Sequence, residues 1–168
     1  MSKTLVAYLS LTGNTKKIAE DIFSSLDGDK AMKSVDDIQD QELAQFKLIF
    51  IGFPVHSHSV PFKIENFIKK IPEEKQIALF STHGSLTGSR LSHEALEHSV
   101  VLAKNAKVLG TFTCRGKVSL AVLESLSKSP EHKAWTEMAA SARSHPDEGD
   151  LEDARSFAKW MQTLSQQD

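Results

Sequence analysis

Cysteine is nearly absent: Cys114 stands alone in 168 residues, which excludes an internal disulfide and fits a reducing compartment. Long apolar runs are missing as well. The first run, Leu5 to Leu9, is too short for a signal-peptide core, and no stretch approaches the roughly 18 apolar residues of a membrane span. A cytoplasmic protein without a membrane partner is expected. Charge of one sign is also lacking, since 20 Lys and Arg face 22 Asp and Glu, a formal net charge of -2. Such a surface offers neither a basic stripe for nucleic acid nor a polybasic membrane handle. Large aromatics are scarce. Tyr8 lies in the first apolar run, and Trp135 and Trp160 fall in helical stretches where core positions are expected. With no repeat, low-complexity segment or linker, residues 1–168 read as one domain.

What is present is a regular alternation. Leu5–Leu9, Ala31–Val35, Lys47–Phe53, Gln76–Phe80 and Lys107–Thr113 read as strands, the second weak and placed at or near a sheet edge. The third and fourth are continuous apolar runs, as in strands covered on both faces. Between them Ile18, Ala19, Ile22, Phe23 and Leu26, then Ile64, Phe67, Ile68 and Ile71, then Leu91, Ala95, Leu96, Val100, Leu102 and Ala103 recur at helical spacing. Asp36–Gln45 is a short helix or an irregular link. Pro61 suits a first helical turn. Residues 118–144 form a helical insertion split at Pro130, with Val122, Leu123 and Leu126 and then Trp135, Met138, Ala139 and Ala142 as apolar positions. His145–Asp150 forms a turn that supplies a carboxylate cap to the last helix, and Ser165–Asp168 frays. The pattern predicts an α/β fold of three layers, a parallel five-stranded sheet with helices on both faces.

Ligands of such sheets sit at the carboxyl ends of strands. Three loops leave those ends: Ser10–Thr15, Pro54–Ser59 and Thr82–Gly88. Ser10, Leu11, Thr12, Gly13, Asn14 and Thr15 supply three hydroxyls, an amide and a glycine where a helix begins, and unpaired N–H groups there attract anions. The stretch matches neither Gly-x-x-x-x-Gly-Lys nor Gly-x-Gly-x-x-Gly. It has no lysine for a γ-phosphate and no carboxylate pair for magnesium, so it suits a terminal monophosphate held without a metal. A purely structural turn is the competing reading.

Strand, Ser-Leu-Thr-Gly-Asn-Thr and helix resemble the phosphate loop of the flavodoxins, Ser/Thr-x-Thr-Gly-x-Thr. Thr113–Lys117 and His145–Leu151 resemble a bacterial subgroup with a Cys-x-Gly-Lys and a His-Pro-acidic segment. The resemblance implies strand order 2-1-3-4-5, FMN as cofactor, and ring contacts from Pro54, Val55, His56, Ser57 and His58, from Thr82, His83, Gly84 and Ser85, and from Cys114, Arg115 and Gly116. Gly84 is the candidate glycine whose carbonyl would turn toward the ring. Flavodoxins commonly stack a tryptophan or tyrosine from these loops, whereas this chain has histidines. A cationic His56 or His83 would favour a reduced anionic flavin, and plain solvated loop histidines are the alternative. His56, His58 and His83 lack a carboxylate or cysteine to complete a metal cluster. Cys114 is either a small buried hydrophobe or a thiol beside the cofactor with Arg115 lowering its pKa.

Three functions follow from the resemblance. The first is an FMN protein exchanging electrons with a redox partner protein. The second is an FMN-dependent reductase of a small quinone, azo or tetrapyrrole-type acceptor. The third is an interaction module without flavin. Weak net charge offers little of the acidic steering expected of a dedicated carrier. Residues 118–144 are read as a packing appendage, a cover for the flavin, a selector of substrate or a homodimer contact.

Overall fold

The apolar runs become five strands in the computed structural model, which describes residues 3–167. They are β1 (Lys3–Tyr8), β2 (Lys30–Ser34), β3 (Phe46–Pro54), β4 (Gln76–His83) and β5 (Lys107–Arg115). All neighbours pair in parallel in the order β2-β1-β3-β4-β5, as the sequence predicted. β2 pairs with β1 alone, so its residues are only half-buried and its weak hydrophobicity suits the edge.

The helices are α1 (Asn14–Ser25), α2 (Phe62–Lys69), α3 (Arg90–Leu102), α4 (Leu120–Ser127), α5 (Lys133–Ala140) and α6 (Glu148–Gln167). Alternating residues of each central strand feed two separate cores, as the period of two requires. Leu5, Ile49, Ile51 and Leu79 pack with Ile64, Phe67 and Ile68 of α2 and Ala95 and Leu96 of α3. Val6, Phe50, Ala78 and Phe80 pack on the other face with Ile18 and Ile22 of α1 and Leu151, Ala154 and Ala158 of α6. None of the described helices is long and apolar enough to cross a membrane.

Several expectations are corrected. β4 continues through Ser81, Thr82 and His83, because these residues still pair with Phe53 and Pro54 on one side and Thr113–Arg115 on the other. The following loop therefore starts at Gly84. Residues 35–37 and 40–45 are 3-10 turns, and Pro61 precedes α2 in extended backbone (ψ 141°) instead of opening it. Ser165 does not fray: it is buried and its hydroxyl bonds Gln76 Oε1. Asp168 lies outside the described residues. Trp160 is 57% exposed, since α6 turns that face outward, and it is no core residue. The segment between β5 and α6 folds as α4, a 3-10 turn opened by Pro130, and α5. α4 buries none of its residues, Val122, Leu123 and Leu126 included, because no layer of the sheet lies beneath it.

Candidate functional site

The carboxyl ends of β1, β3, β4 and β5 carry the loops singled out in the sequence. At the end of β1, Gly13 adopts φ 99°, a left-handed conformation that costs any other residue. This bend lets the chain double back on Ser10, whose Oγ accepts the N–H groups of Gly13 and Lys16, each at 3.2 Å. Among the described residues, nothing accepts the N–H groups of Leu11, Thr12, Asn14 and Thr15. They are clustered donors at the positive end of α1.

Two side chains of this loop are committed elsewhere. Thr15 is buried, and its Oγ1 lies 2.9 Å from Thr82 Oγ1 of β4. Asn14 Nδ2 donates to Lys117 O at 2.9 Å. Gly116 makes that approach feasible, because a Cβ there would lie 2.6 Å from Asn14 Nδ2. Thr12 remains exposed at the rim. The loop is thus bolted to β4 and to the segment leaving β5, which leaves its N–H groups facing outward.

A cavity of about 670 Å³ is lined by Val55, His56, Ser57 and His58 of the loop after β3, and by Gly84, Val118, Val122, Leu126, His132 and Trp135. The chain connects it directly to the donor loop, for Lys117 takes the Asn14 bond and Val118 is the next residue. Its lining is mostly apolar with a few imidazoles, the composition of a site for a flat organic ring.

The loop after β3 is a tight hairpin in which His56 and Ser59 exchange both backbone bonds. Its central residues, Ser57 (φ 48°) and His58 (φ 62°), are both left-handed. Such type I′ turns favour Asn-Gly. Replacing Ser57-His58 by Asn-Gly is expected to raise the unfolding free energy by about 1 kcal/mol, read as a shift in urea midpoint. An unchanged midpoint would show that the turn carries no strain.

His83 is 5% exposed, and its Nδ1 lies 3.0 Å from Ser85 O. A carbonyl only accepts, so the neutral ring carries its proton on Nδ1, and the buried Nε2 is a bare acceptor without a partner. Burial first, then the Arg115 and His93 charges, push its pKa down to about 4. The expectation of a cationic His83 is therefore corrected: it is neutral at pH 7. Its folded pKa lies below the unfolded value of about 6.5, so the unfolded chain takes up the proton first as pH falls. Stability contributed by neutral His83 is full above pH 6.5 and declines toward pH 4. By pH 5 about 2 kcal/mol should be lost. In His83→Gln, urea unfolding between pH 7 and pH 5 should show that decline removed.

Cys114 is 3% exposed and packs in the core layer with α1 and α6. Burial, with Asp150, Asp147 and Asp153 nearby, pushes its thiol up, against the expectation that Arg115 lowers it. Cys114 is a small buried hydrophobe. Arg115 points elsewhere. Its Nε donates to Ser85 O at 3.0 Å, and its Nη2 donates to Ser141 Oγ at 2.8 Å and Met138 O at 3.3 Å, with Gly84 O at 3.5 Å. Gly84 thus turns its carbonyl to Arg115.

Among the described residues, the group with metal-ligand spacing is His145, Asp147 and Asp150, not the loop histidines. Those carboxylates cap α6: Asp147 Oδ1 accepts Asp150 N–H at 3.0 Å, and Asp150 Oδ2 accepts Asp147 N–H at 2.8 Å. The sequence predicted a carboxylate cap for the turn, and the structure makes it reciprocal between Asp147 and Asp150. Lys17 Nζ reaches Pro146 O at 3.0 Å and Lys117 N–H reaches His145 O at 2.8 Å, so the turn braces the donor loop from behind.

The cavity is lined largely by residues that the sequence did not single out. Trp135, Val118, Val122, Leu126 and His132 reach the cavity from residues that follow β5. Only the unusual length of that segment hinted at a role.

A doubly wound parallel sheet in this strand order, with a glycine-turned donor loop after its first strand, is a flavodoxin-type architecture. The sequence profile of the flavodoxin domain matches residues 5–159, and the chain belongs to the flavodoxin family. It is 31% identical over 169 residues to the flavodoxin-like domain-containing protein BilS of Clostridioides difficile (strain CD3), covering 95% of this chain and 96% of that protein. Oxidised flavodoxin 2 from Bacillus cereus superposes with a TM-score of 0.65 at 22% identity, over 97% of this chain and 99% of that one. A flavoprotein in complex with FMN from Lactobacillus acidophilus NCFM has a TM-score of 0.51 at 24% identity, over 67% of this chain and 93% of that chain.

Proposed function

We propose that this chain binds FMN across the carboxyl end of its sheet and exchanges electrons with a redox partner protein. The observation that carries the reading is the run of four unpaired N–H groups in the Ser10–Thr15 loop, continuous through Lys117 with an apolar cavity. The donors and the exposed Thr12 hydroxyl suit a phosphate dianion. The cavity suits an isoalloxazine. Bound FMN would supply reversible one- and two-electron chemistry, while the protein binds, orients and shields it. Neutral His83 adds no positive charge to the site. The Arg115 guanidinium behind Gly84 and Ser85 does, and it would favour a negatively charged reduced ring.

Titrating apoprotein with FMN, riboflavin and inorganic phosphate tests this directly. FMN should bind tighter than riboflavin, and phosphate should compete with FMN. A chain that stays colourless and binds no FMN at micromolar concentration would exclude both electron transfer and reductase chemistry. A second reading, an FMN-dependent reductase of a small acceptor, is favoured by the insertion itself. α4 presents apolar side chains to the cavity and buries none of them in the core. Oxidation of NADH or NADPH by the FMN-loaded protein without an added reductase would favour the enzyme.

A further inference from the structure

The loops after β3 and β4 carry no tryptophan or tyrosine, yet an indole stands in the cavity wall. It comes from α5. A Cβ on Gly84 would overlap Val118 Cγ2 and lie 3.7 Å from Trp135 Cζ2 and 3.8 Å from Cη2, so the six-membered end of the indole faces the one residue there that lacks a side chain. Val55, His56 and His58 line the same cavity. The indole Nε1–H is covered and has no acceptor among the described residues. A tryptophan placed only to fill space would ordinarily find that donor a partner.

The segment has little other reason to hold an indole there. α4 buries no residue and α5 buries only Thr136 and Ala139. What fixes α5 is Arg115, whose guanidinium joins Met138 O and Ser141 Oγ at the end of that helix to Ser85 O in the loop after β4. A cation at a helix C-terminus is favourably placed, and Met138 lies one turn beyond Trp135 on the same helix face. The tie therefore sets the distance between Trp135 and Gly84.

We propose that Trp135 is the aromatic wall of the flavin ring in this protein, in place of an aromatic from the two loops, and that Arg115 is its positioning residue. The proposal rests on the FMN reading above. It assigns the insertion a place in cofactor binding.

The test measures affinity of wild type, Trp135→Phe, Trp135→Leu, Trp135→Ala and Arg115→Met for FMN, riboflavin and inorganic phosphate. Loss of one aromatic contact corresponds to about tenfold in affinity. Trp135→Leu and Trp135→Ala should lose about tenfold for both flavins, Trp135→Phe should restore most of it, and phosphate affinity should not change in any of them. Arg115→Met should weaken both flavins and alter the visible circular dichroism of bound FMN, but add little in a Trp135→Ala background. Flavin affinities equal to wild type in Trp135→Leu and Trp135→Ala would overturn the proposal. So would phosphate affinity falling in parallel, since that is a general loss of structure. Wild type that binds phosphate and neither flavin would overturn the FMN reading and this inference together.

Discussion

Thr12→Asp is expected to weaken FMN binding about a thousandfold while leaving the fold at least as stable as wild type. The two effects separate because of where Thr12 sits. It is exposed on the donor loop, its hydroxyl 3.5 Å from Asn14 Nδ2, and it takes no part in the core. A carboxylate among the N–H groups of residues 11, 12, 14 and 15 would satisfy donors that are unpaired among the described residues, and would face the positive end of α1. That favours folding by about 0.5 kcal/mol. The phosphate of FMN carries at least one full negative charge. A second anion about 4 Å away at an effective dielectric of about 20 costs about 4 kcal/mol per unit charge pair, close to a thousandfold. Riboflavin has no phosphate, so its affinity should be unchanged. Isothermal titration with both flavins, alongside thermal unfolding, gives the comparison. Near-wild-type FMN affinity in this variant would place the phosphate elsewhere.

Gly52→Ala should cost about 3 kcal/mol or more of folding stability, a large part of the 5–15 kcal/mol available to an ordinary domain. Gly52 lies in β3 between Tyr8 of β1 and Phe80 of β4. A Cβ there would lie 2.8 Å from Phe80 Cε1 and deeper still into the ring at Cζ and Cε2. Phe80 is completely buried in the layer shared with α1 and α6, so the ring has nowhere to swing. Urea unfolding of Gly52→Ala, Phe80→Leu and the double variant should show strong coupling, the double losing less than the sum of the two single losses. A Gly52→Ala protein within about 1 kcal/mol of wild type would mean that the sheet relaxes around the added methyl.

The donor loop was legible because its physics is local. Ser10, Thr12, Gly13 and Thr15 are near neighbours in sequence, and a glycine turn between a strand and a helix can be recognised within six residues. The parallel sheet was legible in the strict alternation of strands and helices, whereas its strand order came only from the resemblance of that loop to the flavodoxins. Roles within the loop were not legible. That Thr15 spends its hydroxyl on Thr82 and Asn14 its amide on Lys117 depends on partners 67 and 103 positions away.

The roles of His83 and the tryptophans escape a local reading for the same reason. His83 belongs to a strand end, and its charge state follows from burial and from Arg115 and His93, which no local pattern reports. Trp135 and Trp160 occupy helical stretches of similar appearance, yet one lines the cavity and the other is 57% exposed. Cys114 and Arg115 are adjacent, but successive strand residues point to opposite faces, which sends the thiol into the core and the guanidinium to α5. By itself the sequence determined the three-layer parallel fold and the glycine turn between its first strand and first helix, because periodicity and turn chemistry act over a few residues. Only the tertiary structure decided what walls the cavity, because its lining comes from the loops after β3 and β4 and from α4 and α5, segments far apart in sequence that meet only once the sheet has closed.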